Sequence, residues 1–133
     1  MVMSMTTSST EVTVEGEIQI DAKTGVLITG IAAGAGVTTT IGTVGAGKIW
    51  NIRAITMVQN ANGAGGSTGT VKLAGVDVMK IMLGSSAGSS ANATQTITFP
   101  SDTKIELASG ETIQIYNATA IGSTTASVLY IEE

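Results

Sequence analysis

From Glu11 to Ile20 the chain reads EVTVEGEIQI, so that Val12, Val14, Gly16, Ile18 and Ile20 alternate with Glu11, Thr13, Glu15, Glu17 and Gln19. A strict period of two predicts a strand with one buried and one wet face. Further runs rich in β-branched residues follow: Val37 to Val44, Lys48 to Gln59, Thr70 to Leu73, Val76 to Leu83, Thr94 to Phe99, Thr103 to Leu107, Glu111 to Asn117 and Ala126 to Glu133. Together they predict eight or nine strands and no helix. Within Lys48 to Gln59, simple alternation sets Trp50, Ile52, Ala54 and Val58 on one side.

Turn chemistry separates these runs. Ala74-Gly75 predicts a tight connection, and Ala108 to Gly110 a three-residue hairpin loop whose glycine supplies a positive φ, pairing Thr103–Leu107 with Glu111–Asn117. Asn60 to Gly69 and Gly84 to Ala93 are small, polar and glycine-rich, the composition of mobile surface loops. Many short strands without helices to cover a parallel sheet predict an all-β fold: an antiparallel, jelly-roll-like β-sandwich. Residues 11–133 are expected to form one sandwich domain. Residues 1–10, MVMSMTTSST, lack strand periodicity and read as a flexible arm, with Met1, Val2, Met3, Met5 and Thr10 as candidate contacts to a neighbouring subunit.

Composition narrows the chemistry. Of 133 residues none is Cys or His, which removes disulfides, thiolate metal sites, Ser/His and Cys/His nucleophilic pairs and the usual base near neutral pH. Charged residues make up 12% and the net charge is −4, leaving no basic footprint for nucleic acid or an anionic membrane. The longest apolar run, Val26 to Val37, carries three glycines and falls short of the roughly 20 residues a membrane span needs. The N-terminal residues have neither the basic start nor the apolar stretch of a secretory signal, an expectation of cytoplasmic synthesis without cleavage.

One stretch raises a sharper possibility. In GTVGAGKIW, Gly42, Gly47 and Lys48 match the G-x-x-x-x-G-K part of a phosphate-binding loop, but Ile49 stands where that pattern needs Ser or Thr. A phosphate loop must also open a helix. IWNIRAITMVQ is a sheet pattern, so Gly45-Ala46-Gly47 reads as a turn with Lys48 solvated. Glu11, Glu15 and Glu17 read as a solvated strand face rather than a calcium site, and Asp77, Asp102 and Glu106 lack partners. Of the aromatic residues, Phe99 is expected in the core and Trp50 in the core or an interface; a glycan platform needs most of Trp50, Phe99, Tyr116 and Tyr130 on one surface. Asn92-Ala93-Thr94 and Asn117-Ala118-Thr119 match the glycosylation sequon. No catalytic, cofactor or metal residue is assigned.

VGAGKIWNIRAITMVQN (Val44 to Asn60), TVKLAGVDVM (Thr70 to Met79) and IELASGETIQIYN (Ile105 to Asn117) carry a resemblance to small β-sandwich proteins of tailed-phage and archaeal-virus particles. Its landmarks are Gly47-Lys48 leading to Asn60, the hairpin residues Leu107, Gly110, Glu111, Ile113 and Ile115, and the terminal strand Val128 to Ile131. The resemblance implies a head decoration (cement) protein, a homotrimer on the capsid exterior that binds the major capsid protein. The residues themselves imply a non-enzymatic subunit that packs against its own copies. Two other readings stay open: an extracellular filament in which Met1 to Ile20 adds a strand to the next subunit, and a tail-associated or cell-surface glycan-binding module using loops Asn60 to Gly69 and Gly84 to Ala93.

Overall fold

The structure is a computed structural model and describes residues 24–62, 66–84, 90–119 and 122–133. The arm contacts Met1, Val2, Met3, Met5 and Thr10, the strand expected at Glu11 to Ile20 and the carboxylates Glu11, Glu15 and Glu17 lie outside the described residues. Nine strands and no helix make up the rest: β1 (Gly25–Ala33), β2 (Val37–Thr43), β3 (Trp50–Asn62), β4 (Ser67–Leu73), β5 (Val76–Leu83), β6 (Ser90–Thr98), β7 (Glu106–Leu107), β8 (Thr112–Asn117) and β9 (Gly122–Glu132).

They form two antiparallel sheets. Sheet 1 has the order β1-β9-β3-β6, with β7 also paired to β3; sheet 2 has the order β2-β8-β4-β5. The pairs β4–β5, β3–β6, β2–β8 and β1–β9 are successive rungs of one long antiparallel hairpin rolled over on itself. Rolling brings β9 beside β3 and β8 beside β4, which is jelly-roll connectivity. The core between the sheets takes Ile52, Ile55, Met57, Val128 and Tyr130 from sheet 1 and Val71, Leu73, Ile81, Ile113 and Ile115 from sheet 2.

The turns follow the expected chemistry. Ala74 and Gly75 have φ of 51° and 81°, and Leu73 pairs with Val76 around them, a two-residue hairpin of the I′ kind whose twist matches the strands. Between β2 and β3, Lys48 N–H donates to Gly45 O at 3.1 Å and Gly47 has φ 74°, so the glycine-rich stretch is a turn into the longest strand. Lys48 is exposed.

Four expectations need correction. The stretches read as loops, Asn60 to Gly69 and Gly84 to Ala93, are partly strand, since β3 runs on to Asn62, β4 begins at Ser67 and β6 at Ser90. Thr103–Leu107 and Glu111–Asn117 do not pair with each other: β7 is two residues long and joins β3 in sheet 1, while β8 crosses to sheet 2. The turn at Gly110 (φ 86°) survives, with Glu111 N–H donating to Ala108 O at 3.0 Å, but it links sheets rather than neighbouring strands. Alternation along β3 also fails, because a bulge between Ile52 and Ala54 shifts the register. Beyond it Ile55, Met57 and Gln59 point inward, and Ala54 and Val58 outward. Finally, Gly25–Ala33 is a strand, where the sequence shows an unbroken apolar run.

Candidate interaction face

Alternation and register place four rows of side chains on the outer surface of sheet 1. Leu27, Leu129, Ala54 and Thr98 form one row across β1, β9, β3 and β6; Thr29, Ser127, Thr56 and Thr96 form the next. Ile31, Thr125, Val58 and Thr94 follow, then Ala33, Ser123, Asn60 and Asn92. No residue in these rows is charged. Soluble surfaces ordinarily carry charge at a quarter or more of their positions, so a charge-free face four strands wide departs from a solvent-facing sheet.

The polar groups on this face bond along the rows. Thr29 Oγ1 and Ser127 Oγ lie 2.8 Å apart, and Thr56 Oγ1 and Thr96 Oγ1 3.1 Å apart. Asn60 Nδ2 donates to Asn92 Oδ1. With those four hydroxyls already engaged, covering the face leaves fewer donors unmet, although Asn60 Oδ1 has no partner. Leu27 and Ile31, 65% and 55% exposed, stand at its β1 margin.

Sheet 2 presents a different outer surface. Lys72 donates to Asp77 at 2.7 Å, and Lys80 lies nearby on β5. The Lys72 hydrogen bond is the main cause holding the Asp77 carboxyl below its ordinary value. The described charges lie here, in turns, or around Arg53 at one end of sheet 1. There an open depression of about 200 Å³ is lined by Asn51, Arg53, Ser101, Lys104, Ile131 and Glu133. Two of its side chains serve the protein itself: Arg53 Nη2 donates to Phe99 O at 2.7 Å and Nη1 to Thr103 O at 3.3 Å, fastening the β6–β7 loop, and Asn51 Nδ2 donates to Glu133 Oε2, while Asn51 Oδ1 is buried without a partner.

A second polar cluster is buried at the opposite end. Gln59 Oε1 accepts from Thr124 Oγ1 at 2.6 Å, and Gln59 Nε2 donates to Asn117 Oδ1 at 3.1 Å and to Ser67 Oγ. Asn117 Nδ2 lies 2.8, 2.6 and 2.9 Å from the carbonyls of Gly34, Thr119 and Gly122. Gln59 and Asn117 are both 0% exposed. The cluster ties β3, β4, β8, β9 and the β1–β2 turn together and holds neutral amides and hydroxyls only, so its work is to fix register.

The residues weighed from sequence fall as follows. Trp50 and Tyr130 are buried in the core, and Phe99 packs against it partly exposed. Tyr116 lies in sheet 2, so the aromatics do not share a surface. Among the described residues no three Asp or Glu converge to hold a metal. Asn92 is exposed, whereas Asn117 is sealed in the polar cluster. The uncharged face itself was not visible in the chain, because its strands are distant in sequence; its trace was the low charge content and the Ser- and Thr-rich outward positions of β6 and β9. No protein-family model matches the chain, and no curated protein matches its sequence.

Proposed function

We propose that the protein is a non-enzymatic structural subunit that works by burying surface, and specifically a decoration subunit on the outside of a viral capsid. The observation that carries this reading is the outer face of sheet 1, free of charge and with its central hydroxyls, Thr29 to Ser127 and Thr56 to Thr96, bonded in pairs. Such a face has no charge to desolvate, so covering it costs little. The narrower assignment rests on the resemblance at Val44 to Asn60 and Ile105 to Asn117, supported by jelly-roll connectivity. Subunits self-associate, a closed trimer being the favoured arrangement, and bind the major capsid protein between capsomers, adding contacts that hold the shell against expansion.

The test is cofractionation of the purified protein with shells of the virus from which it comes. Saturable binding at fixed stoichiometry, with a raised shell melting temperature, is expected. A protein that stays monomeric and leaves shells untouched contradicts the proposal.

One observation favours a second reading. The free edge of β1 has no partner strand among the described residues, and Glu11 to Ile20 has the alternation of a strand able to add there from a neighbour. A filament built this way collapses to monomers when residues 1–20 are deleted, whereas a closed oligomer held by sheet faces survives the deletion.

A further inference from the structure

The uncharged face has two candidate occupants, another copy of this chain or the capsid shell. We infer that a second copy covers the outer face of sheet 1, face to face about a twofold axis, a pairing that takes the place of the trimer named above. This rests on reading that face as a contact surface, and it goes beyond that reading in naming the occupant.

Charge supplies the first argument. The chain is acidic, with a net charge of −4, so two copies repel on average, and a face without charge adds nothing to that repulsion. Among the described residues, the outer face of sheet 1 is a broad surface on which two copies meet without opposing like charges. A chemically different partner is recognised best through complementary charge, and the charged groups for that lie on sheet 2, at Lys72, Asp77 and Lys80.

Area supplies the second. At about 4.8 Å between strands and about 6.8 Å between outward residues, four rows across four strands cover roughly 500 Å² per copy. Two copies then bury about 1,000 Å², the extent a specific protein interface must reach. Leu27 and Ile31 at the margin are aliphatic anchors, and the rows of methyl and hydroxyl groups between them match their own kind. Because the hydroxyls of Thr29, Ser127, Thr56 and Thr96 are bonded within each copy, association leaves them satisfied.

Sedimentation of the full chain and its variants at micromolar concentration decides the matter. The wild type is expected as a closed oligomer of the 13.3 kDa subunit. Thr56→Lys at the centre is expected to raise the dissociation constant roughly 30-fold or more, the effect of disrupting a central contact, and Leu27→Lys at the margin to raise it by a smaller factor. Thr40→Lys and Gln114→Lys on the outer face of sheet 2 are expected to leave it unchanged. Circular dichroism confirms folding; if Thr56→Lys unfolds, Leu27→Lys decides alone, since its side chain is 65% exposed. A monomeric wild type, or a Leu27→Lys variant that associates as tightly as wild type, overturns the inference. Shell binding is read separately: a wild type that oligomerises through this face but ignores shells removes the decoration reading and leaves this one standing. Variants that remain oligomeric and bind shells do the reverse.

Discussion

Trp50 stacks on Tyr130 with ring centroids 3.9 Å apart and planes 16° apart, and its indole N–H donates to Glu132 Oε2 at 3.1 Å. The pair closes one end of the sandwich just before the bulge in β3. Trp50 also lies over Gly42, where an added Cβ would come 2.9 Å from Trp50 Cζ3 and 2.8 Å from Ile28 Cδ1. Trp50→Ala removes the stack and leaves a cavity, and should cost about 3–5 kcal/mol in chemical denaturation. Gly42→Ala should destabilise as well, by overpacking the same contact.

Tyr130 also sets an alkaline limit. Burial, and secondarily the charge of Glu132, raise its phenol pKa above the ordinary value of 10.0. The unfolded chain therefore ionises first as pH rises, so the contribution of Tyr130 is complete below pH 10.0 and is lost above it. Denaturation midpoints followed through alkaline pH should fall for the wild type, and fall less for Tyr130→Phe.

The buried amide cluster predicts sensitivity at a glycine. A Cβ on Gly69 would meet Gln59 Oε1 at 1.9 Å and Thr124 Oγ1 at 2.4 Å, so Gly69→Ala cannot keep those hydrogen bonds. A loss of roughly 3 kcal/mol or more is expected, from overpacking and unmet buried polar groups together. The same burial means that expression through a glycosylating pathway should modify Asn92 and leave Asn117 bare in folded protein, as intact-mass analysis of the two sequon knockouts reads directly.

One substitution should stabilise. Ala74 holds a left-handed conformation, φ 51°, that costs a residue with a Cβ roughly 1 kcal/mol. Asn tolerates that region, and Asn-Gly is a preferred pair for this turn. Ala74→Asn should raise stability by about 0.5–1 kcal/mol.

Much of the architecture was legible because hydrophobic alternation and turn residues act locally. The Ala74-Gly75 turn and the strands β5 and β8 stand close to where the pattern sets them. β1 escaped because it is apolar on both faces: Ile28 and Ala32 point inward while Leu27 and Ile31 point outward, and Gly30 is required by Ile41, which a Cβ there would meet at 2.1 Å. Period two disappears in such a strand, and a packing glycine imitates a turn. The β7–β8 pairing failed for a different reason. Leu107 and Ile113 are both core residues, and nothing local states that they enter opposite sheets. The interaction face is legible only after the roll of the hairpin brings β1, β9, β3 and β6 side by side.

The claim that sheet 1 is the covered face is tested most directly by hydroxyl-radical footprinting of the assembled wild-type protein. Leu27, Ile31 and Leu129 on sheet 1 should be protected relative to the dissociated protein, while Met82, 73% exposed on sheet 2, oxidises equally in both states. Full labelling of Leu27 and Ile31 in the assembly, with protection appearing at Met82 instead, would contradict it.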